Sequence, residues 1–229
     1  MKKFVLLFDI DGTLLLAPGL GKTFFEEALQ EVSGRSASSE GVKFAGRTDR
    51  SLAREMLNRA GYPFPGLENA IHDVLDAYAR RLVDSIEPSA VNVLPGVVEL
   101  LETLAPRETL HLGLLTGNLE LTGWAKLRAA GLDGYFGFGA FGSDHEDRNA
   151  LPSFALERAN ALAEADLGFE SVVVIGDTEH DILCGKAVGA LTVGVCTGYV
   201  SRKSLEDTSP DVLLEDFNAA SAFMALIQP

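Results

Sequence analysis

Cysteine is scarce in this chain: Cys184 and Cys196 are the only two in 229 residues. Two thiols build no disulfide framework, and no Cys/His spacing suited to a metal is present. A reducing cytoplasm is the simplest expectation. Basic residues are few as well, with 19 Lys and Arg against 33 Asp and Glu for a net charge of -14. A general nucleic-acid binder wants a basic face, so the composition argues against that class. Long apolar runs are also missing, and no stretch is long enough to span a bilayer. Met1-Lys2-Lys3 followed by Phe4 to Phe8 opens like a secretion signal, but Asp9 and Asp11 interrupt the apolar stretch too early. Low-complexity tracts, charge runs and internal repeats are absent. The expected partner is a small molecule, with no nucleic acid and no membrane, and the chain is expected to be a monomer or small homo-oligomer. If that partner is an anion, the overall field repels it, and local cations must reverse the sign at the site.

What is present is an ordinary globular balance of 47% apolar and 23% charged residues. The length suits one sizeable domain, or a core with a smaller insertion. Phe4 to Phe8 reads as a strand covered on both faces. Leu16 to Gly21 reads as a linker. From Lys22 to about Ser89 the apolar spacing is helical, with an N-cap at Thr48 or Asp49 and a stop at Gly61. Beyond Pro95 strands and helices alternate: a helix after Gly96, a strand over Leu110 to Asn118, a helix stopped by Gly131 and a short strand near Phe138. A helix with Pro152 near its start follows, then a buried strand over Ser171 to Asp177, a helix, a strand from Leu191, and a short strand with a closing helix. This alternation predicts an α/β fold, a doubly wound parallel sheet with an inserted helical cap. The predicted division is 1–16 with 92–229 for the core and 17–91 for the cap.

Ligands of such sheets bind beyond the carboxyl ends of the strands. Three strands end there in polar clusters: Asp9-Ile10-Asp11-Gly12-Thr13, Thr116-Gly117-Asn118, and Gly176-Asp177 running on to Asp181. Carboxylates gathered at one place repel each other unless a cation sits among them. Asp9, Asp177 and Asp181 are hard oxygen donors suited to Mg²⁺. Strand alternation puts Asp9 and Asp11 on one side, and the turn at Gly12 can aim Asp11 at a substrate and leave its carbonyl for the metal. A carboxylate beside Mg²⁺ can attack phosphorus. Asp9, nearest the strand, suits the nucleophile, and Asp11 can act as acid and then base. The Thr116 hydroxyl and the N–H groups of Gly117 and Asn118 can hold phosphoryl oxygens. Taken alone, Thr116-Gly117-Asn118 reads equally well as a turn with Asn118 as helix N-cap. Arg47, in "GRTDR", is a candidate substrate contact, with a plain helix start as the competing reading.

The motif DxDGT after an apolar strand, a strand ending in Thr-Gly-Asn, and GDxxxD after another strand together resemble the haloacid dehalogenase superfamily. They stand in that family's order and cover nearly the whole chain. The helical block resembles its C1-type cap, and the overall pattern is similar to the phosphoglycolate phosphatase and β-phosphoglucomutase branch. The resemblance implies a Mg²⁺-dependent phosphohydrolase with Asp9 as nucleophile, Asp11 as acid/base, Thr116 as phosphate binder and Asp177 as metal ligand. One departure stands out. The branch supplies a cation from a Lys-Pro pair before the GD strand, where this chain has "DHEDRNALP". Arg148 is the expected replacement, with Lys126 as the other candidate. A mutase, a phosphonate hydrolase using Lys22 or Lys43, and a catalytically silent binding protein are the competing functions. His180 and Cys184 are expected to be bystanders, and Trp124 to pack.

Overall fold

The computed structural model describes residues 2–35 and 38–227, so Met1 of the signal-like start lies outside them. Strand β1 (Phe4–Phe8) is buried on both faces. Its side chains alternate between two cores. Phe4, Leu6 and Phe8 join one apolar cluster, and Val5 and Leu7 join the other. Each such side chain taken fully from water is worth about 1.5–3 kcal/mol before entropy is charged.

Two ranges flank the helical block, β2 (Leu15–Leu16) and β3 (Asn92–Val93), and they pair antiparallel. Between them run α1 (Leu20–Ser33), α2 (Asp49–Arg59) and α3 (Leu67–Ser85). These helices bury Phe25, Leu29, Met56, Leu57, Ile71 and Tyr78 in a cluster of their own, which also takes Leu119, the N-cap of the helix over Glu120–Ala130. Then come α4 (Val97–Leu104), β4 (Leu110–Leu115), α5 (Glu120–Ala130), β5 (Phe138–Ala140), α6 (Leu151–Ala163) and β6 (Val172–Gly176). The chain ends with α7 (Glu179–Ala187), β7 (Leu191–Val195), α8 (Arg202–Asp207), β8 (Val212–Leu214) and α9 (Ser221–Leu226). The six-stranded sheet has the order β5-β4-β1-β6-β7-β8, and every neighbouring pair is parallel. Helices α4, α5 and α9 pack on one face, α6 and α7 on the other. This is the doubly wound arrangement, with β1 at its centre.

Sequence periodicity did not find β2, β3 or α8. A two-residue strand has no period to detect, and α8 is a six-residue turn of helix. The linker reading of Leu16 to Gly21 is also corrected. Leu16 pairs in β2 and α1 already starts at Leu20, capped by Gly19 in a left-handed conformation with φ 81°. Among the described residues no helix is long and apolar enough to cross a membrane.

Candidate active site

The central strand β1 delivers Asp9 at its tip, and the parity of the strand decides what Asp9 meets. Asp9 continues the series of Val5 and Leu7, the face covered by α6 and α7. Arg148 stands just before α6, in a 3-10 turn over Arg148–Ala150, and Asp181 is in the first turn of α7. The guanidinium Nη2 of Arg148 donates to Asp9 Oδ1 at 3.0 Å and to the Leu115 carbonyl at 3.2 Å, and it pairs with Asp181 Oδ1. All three contacts use one nitrogen. Arg148 Nε is buried without a partner among the described residues.

Asp177 follows β6. Its Oδ1 accepts from the Thr13 hydroxyl at 3.1 Å. Glycine makes the room around it. A Cβ on Gly12, where φ is +90°, or on Gly198 would overlap the Asp177 carboxylate. Asp181 is fixed by its helix. Its Oδ2 accepts from the Thr178 N–H at 3.0 Å and the Thr178 hydroxyl at 2.7 Å, a capping box at the start of α7. One oxygen each of Asp9, Asp177 and Asp181 lies within 4.8 Å of the others, all buried. The cost appears in their proton affinities. Burial above all, opposed by Arg148 and reinforced by Asp181, raises Asp9 to about 7. Burial, with Asp181 and Asp9 adding to it, raises Asp177 well above the carboxylate range. Of the three, Asp181 has both oxygens bonded within the protein, whereas Asp9 and Asp177 each keep Oδ2 free of hydrogen bonds to described residues.

The second wall is the turn after β4. The Gly117 carbonyl accepts from the Asp49 N–H and the Asn118 carbonyl from the Gly142 N–H, both at 2.8 Å. With its carbonyls drawn outward, the turn leaves the Gly117 N–H without an acceptor among the described residues. Asn118 is not the N-cap; Leu119 holds that position. The Asn118 amide is occupied elsewhere. Its Nδ2 donates to Asp11 Oδ2 and to Thr116 Oγ1, both at 2.8 Å. Lys126, on α5, donates to Asp11 Oδ2 at 2.6 Å and to Asn118 Oδ1 at 2.7 Å. Arg148 and Lys126 therefore stand at different acids, Arg148 at Asp9 and Lys126 at Asp11.

Asp9, Asp11, Thr116, Lys126, Arg148 and Asp177 line one cavity of about 1210 Å³, open between the strand tips and α1–α3, and Asp181 stands behind it. Arg47 also lines it, but its guanidinium is held by Glu55 and by the Ser51 carbonyl at 3.1 Å. His180 is exposed at the rim and Cys184 is buried, while Trp124 packs against the core. Three participants escaped the sequence reading. Thr13 sits inside the DxDGT motif and its hydroxyl supports Asp177. Gly198 makes the space already described. Asp49, the first residue of α2, is buried, accepts the Leu119 N–H at 2.9 Å, and is raised to about 6 by burial against the pull of Lys126. Nothing in "GRTDR" marks Asp49 apart from an ordinary helix start.

The profile of the haloacid dehalogenase-like hydrolases matches residues 6–195. Pyrophosphatase PpaX of Listeria monocytogenes is 29% identical, with 92% of this chain and 91% of that protein aligned. A phosphoglycolate phosphatase of Pectobacterium atrosepticum is 24% identical over 93% of this chain and 88% of its own. In fold the chain is similar to β-phosphoglucomutase of Clostridium difficile, with TM-score 0.72, 15% identity, and 99% and 96% of the two chains covered. The match across most of the chain, together with the acids at the tips of β1 and β6, establishes that the chain belongs to the haloacid dehalogenase-like hydrolases.

Proposed function

We propose that this hydrolase is a Mg²⁺-dependent phosphatase of a small phosphorylated metabolite, working through a phosphoryl group carried on Asp9. The observation that carries the reading is the grouping of Asp9 and Asp177, whose buried carboxyls strain against each other, beside a cavity with phosphate donors on its other wall. The donor set fits a hard divalent ion. Asp9 and Asp177 each keep an oxygen free, the Asp11 carbonyl is the third protein ligand of the proposal, and the glycines leave space beside Asp177. Asp181, with both oxygens bonded, belongs in this reading as the anchor of Arg148 and a neighbouring charge. Mg²⁺ bound there supplies charge neutralisation to the acids and to the phosphoryl oxygens.

The residues then divide the work. The phosphoryl group lies between Asp9 and the Thr116–Asn118 turn, held by the Thr116 hydroxyl, the Gly117 N–H and the Arg148 guanidinium. Asp9 attacks phosphorus as the bond to the leaving oxygen breaks, and Asp11 gives that oxygen its proton. Water next attacks the aspartyl phosphate and passes its proton to Asp11, releasing phosphate and restoring Asp9. Helices α1–α3 serve as the cap. Support comes from two bonds between α2 and the loop after β5: Thr48 Oγ1 donates to the Glu146 carbonyl at 2.6 Å, and Arg54 Nε to Glu146 Oε1 at 2.7 Å. A closed cap keeps bulk water from the phosphoryl group. Arg47, tied to Glu55, reaches substrate in this scheme only if that pair opens.

The direct test is release of phosphate from a panel of phosphate esters with Mg²⁺ and with chelator. Turnover that persists in chelator, or none on any ester, rejects the reading. A thermal measurement probes the metal separately. Asp9 and Asp177 are raised, so the metal-free protein holds protons that the unfolded chain has shed, and its stability falls as pH climbs from about 4 toward about 7. Metal must displace those protons. The gain in melting temperature on adding Mg²⁺ is expected to be larger at about pH 8 than at about pH 5, and an equal gain at both would count against these ligands.

A further inference from the structure

Lys126 is the buried cation that the reaction scheme above leaves without a task. It is 4% exposed, lies on α5, and pairs with Asp11 and Asn118, not with Asp9, Asp177 or Asp181. What it touches fixes a sequence of donors and acceptors. An ammonium group can only donate, so the Asn118 atom at 2.7 Å from it is the carbonyl oxygen. The Asn118 amide nitrogen must then face the other way, where it donates to Asp11 Oδ2 and to Thr116 Oγ1. The Asn118 backbone N–H also points at Thr116 Oγ1, at 3.4 Å. A hydroxyl has two acceptor sites and one hydrogen. With both acceptor sites of Thr116 met by donors, its hydrogen is left to be given, and Thr116 lines the cavity. On Asp11, Lys126 and Asn118 both bind Oδ2, which leaves Oδ1 free on a side chain that is 40% exposed.

We propose that Lys126 is a positioning residue that sets the hydrogen-bond polarity of this group: through Asn118 it makes Thr116 an obligate donor to the phosphoryl oxygen, and it turns a single oxygen of Asp11 toward the leaving group. The inference rests on the phosphatase reading for its consequence, but its content is an ordering of hydrogen bonds around one lysine. Without Lys126 the Asn118 oxygen loses its donor, and the amide is held by its bond to Asp11, which has itself lost the ammonium that fixed it. A turned amide faces Thr116 with its oxygen, and the threonine hydrogen is then spent on Asn118 instead of the ligand. Asp11 would lose one of the two donors that fix its orientation.

The experiment is a double-mutant cycle on Lys126 and Thr116, read as kcat and KM for p-nitrophenyl phosphate with Mg²⁺. Thr116→Val removes the donor, and Lys126→Met removes what aims it. Each is expected to lower kcat on the order of 10²-fold, the scale of one lost donor to a developing oxyanion. Because both act through the same hydrogen, the double variant should fall no more than about 3-fold below the poorer single one. Lys126→Gln keeps a donor at nearly the same length without the charge. It is expected to recover most of the loss of Lys126→Met, and it serves if Lys126→Met fails to fold. Losses that multiply in the double variant, or a Lys126→Gln protein as poor as Lys126→Met, overturn the proposal. If the wild-type chain hydrolyses no ester, the phosphatase reading falls by itself. The same cycle read as the thermal shift on adding orthovanadate still decides the polarity claim: a shift lost together in Thr116→Val and Lys126→Met supports it, and a shift kept in Lys126→Met refutes it.

Discussion

Asp9→Asn is expected to remove turnover, by roughly 10⁴-fold or more, while leaving a protein that is more stable than the parent when no metal is present. The first half follows from chemistry: a neutral amide cannot take up the phosphoryl group. The second follows from electrostatics. Asp9 is buried and raised to about 7, chiefly by desolvation, with Asp181 and Asp11 adding to the shift. Asn has the same shape and no charge, so the substitution relieves a cost that the wild-type protein carries for function. In a chain of 229 residues a relief of about 1 kcal/mol raises the melting temperature by about 2–4 °C. The gain should grow as pH climbs from about 4 toward about 7, where the unfolded chain has shed the proton that folded wild-type Asp9 still holds, and level off above that. Stability and activity are thus expected to move in opposite directions. Measurable turnover in Asp9→Asn would falsify the nucleophile assignment, and a drop in metal-free stability would contradict the electrostatic account.

Arg148→Met carries the opposite sign. It leaves Asp9 and Asp181 buried beside each other without their shared cation. Removing one partner of a buried pair costs about 3–5 kcal/mol, or roughly 10 °C in melting temperature for a chain of this size. The damage should be greatest at about pH 8 and smaller at about pH 5, where Asp9 holds a proton. Arg148→Lys separates the two possible reasons for an arginine here. Among the described residues only Nη2 is used, for Asp9, Asp181 and the Leu115 carbonyl, and Nε has no partner. An ammonium with three hydrogens can make those same three contacts. Arg148→Lys should therefore keep most of the stability that Arg148→Met loses, and a good part of the activity. If Lys behaves like Met, the fork geometry of the guanidinium matters in a way these contacts do not account for.

The sequence by itself determined the sheet and the acids at its rim. Short continuous apolar runs between helical stretches and strand tips ending in Asp, Thr-Gly-Asn and Gly-Asp are local signals, and a parallel sheet places such tips together whatever the details of its helices. For that reason Asp9, Asp11, Thr116 and Asp177 could be singled out from the order of residues, whereas Arg148 came from the family resemblance, with Lys126 as the alternative. Tertiary structure alone decided which partner each charge takes. Lys126 reaches Asp11 and Asn118, while Arg148 reaches Asp9 and Asp181, because of how α5 and α6 are rotated against the sheet. Asp49 meets Leu119 because α2 docks on the turn after β4. These contacts join residues far apart in the chain, and no local spacing encodes them. The same holds for β2 and β3, too short to show a period, and for Gly198, whose missing side chain matters only because Asp177 stands beside it.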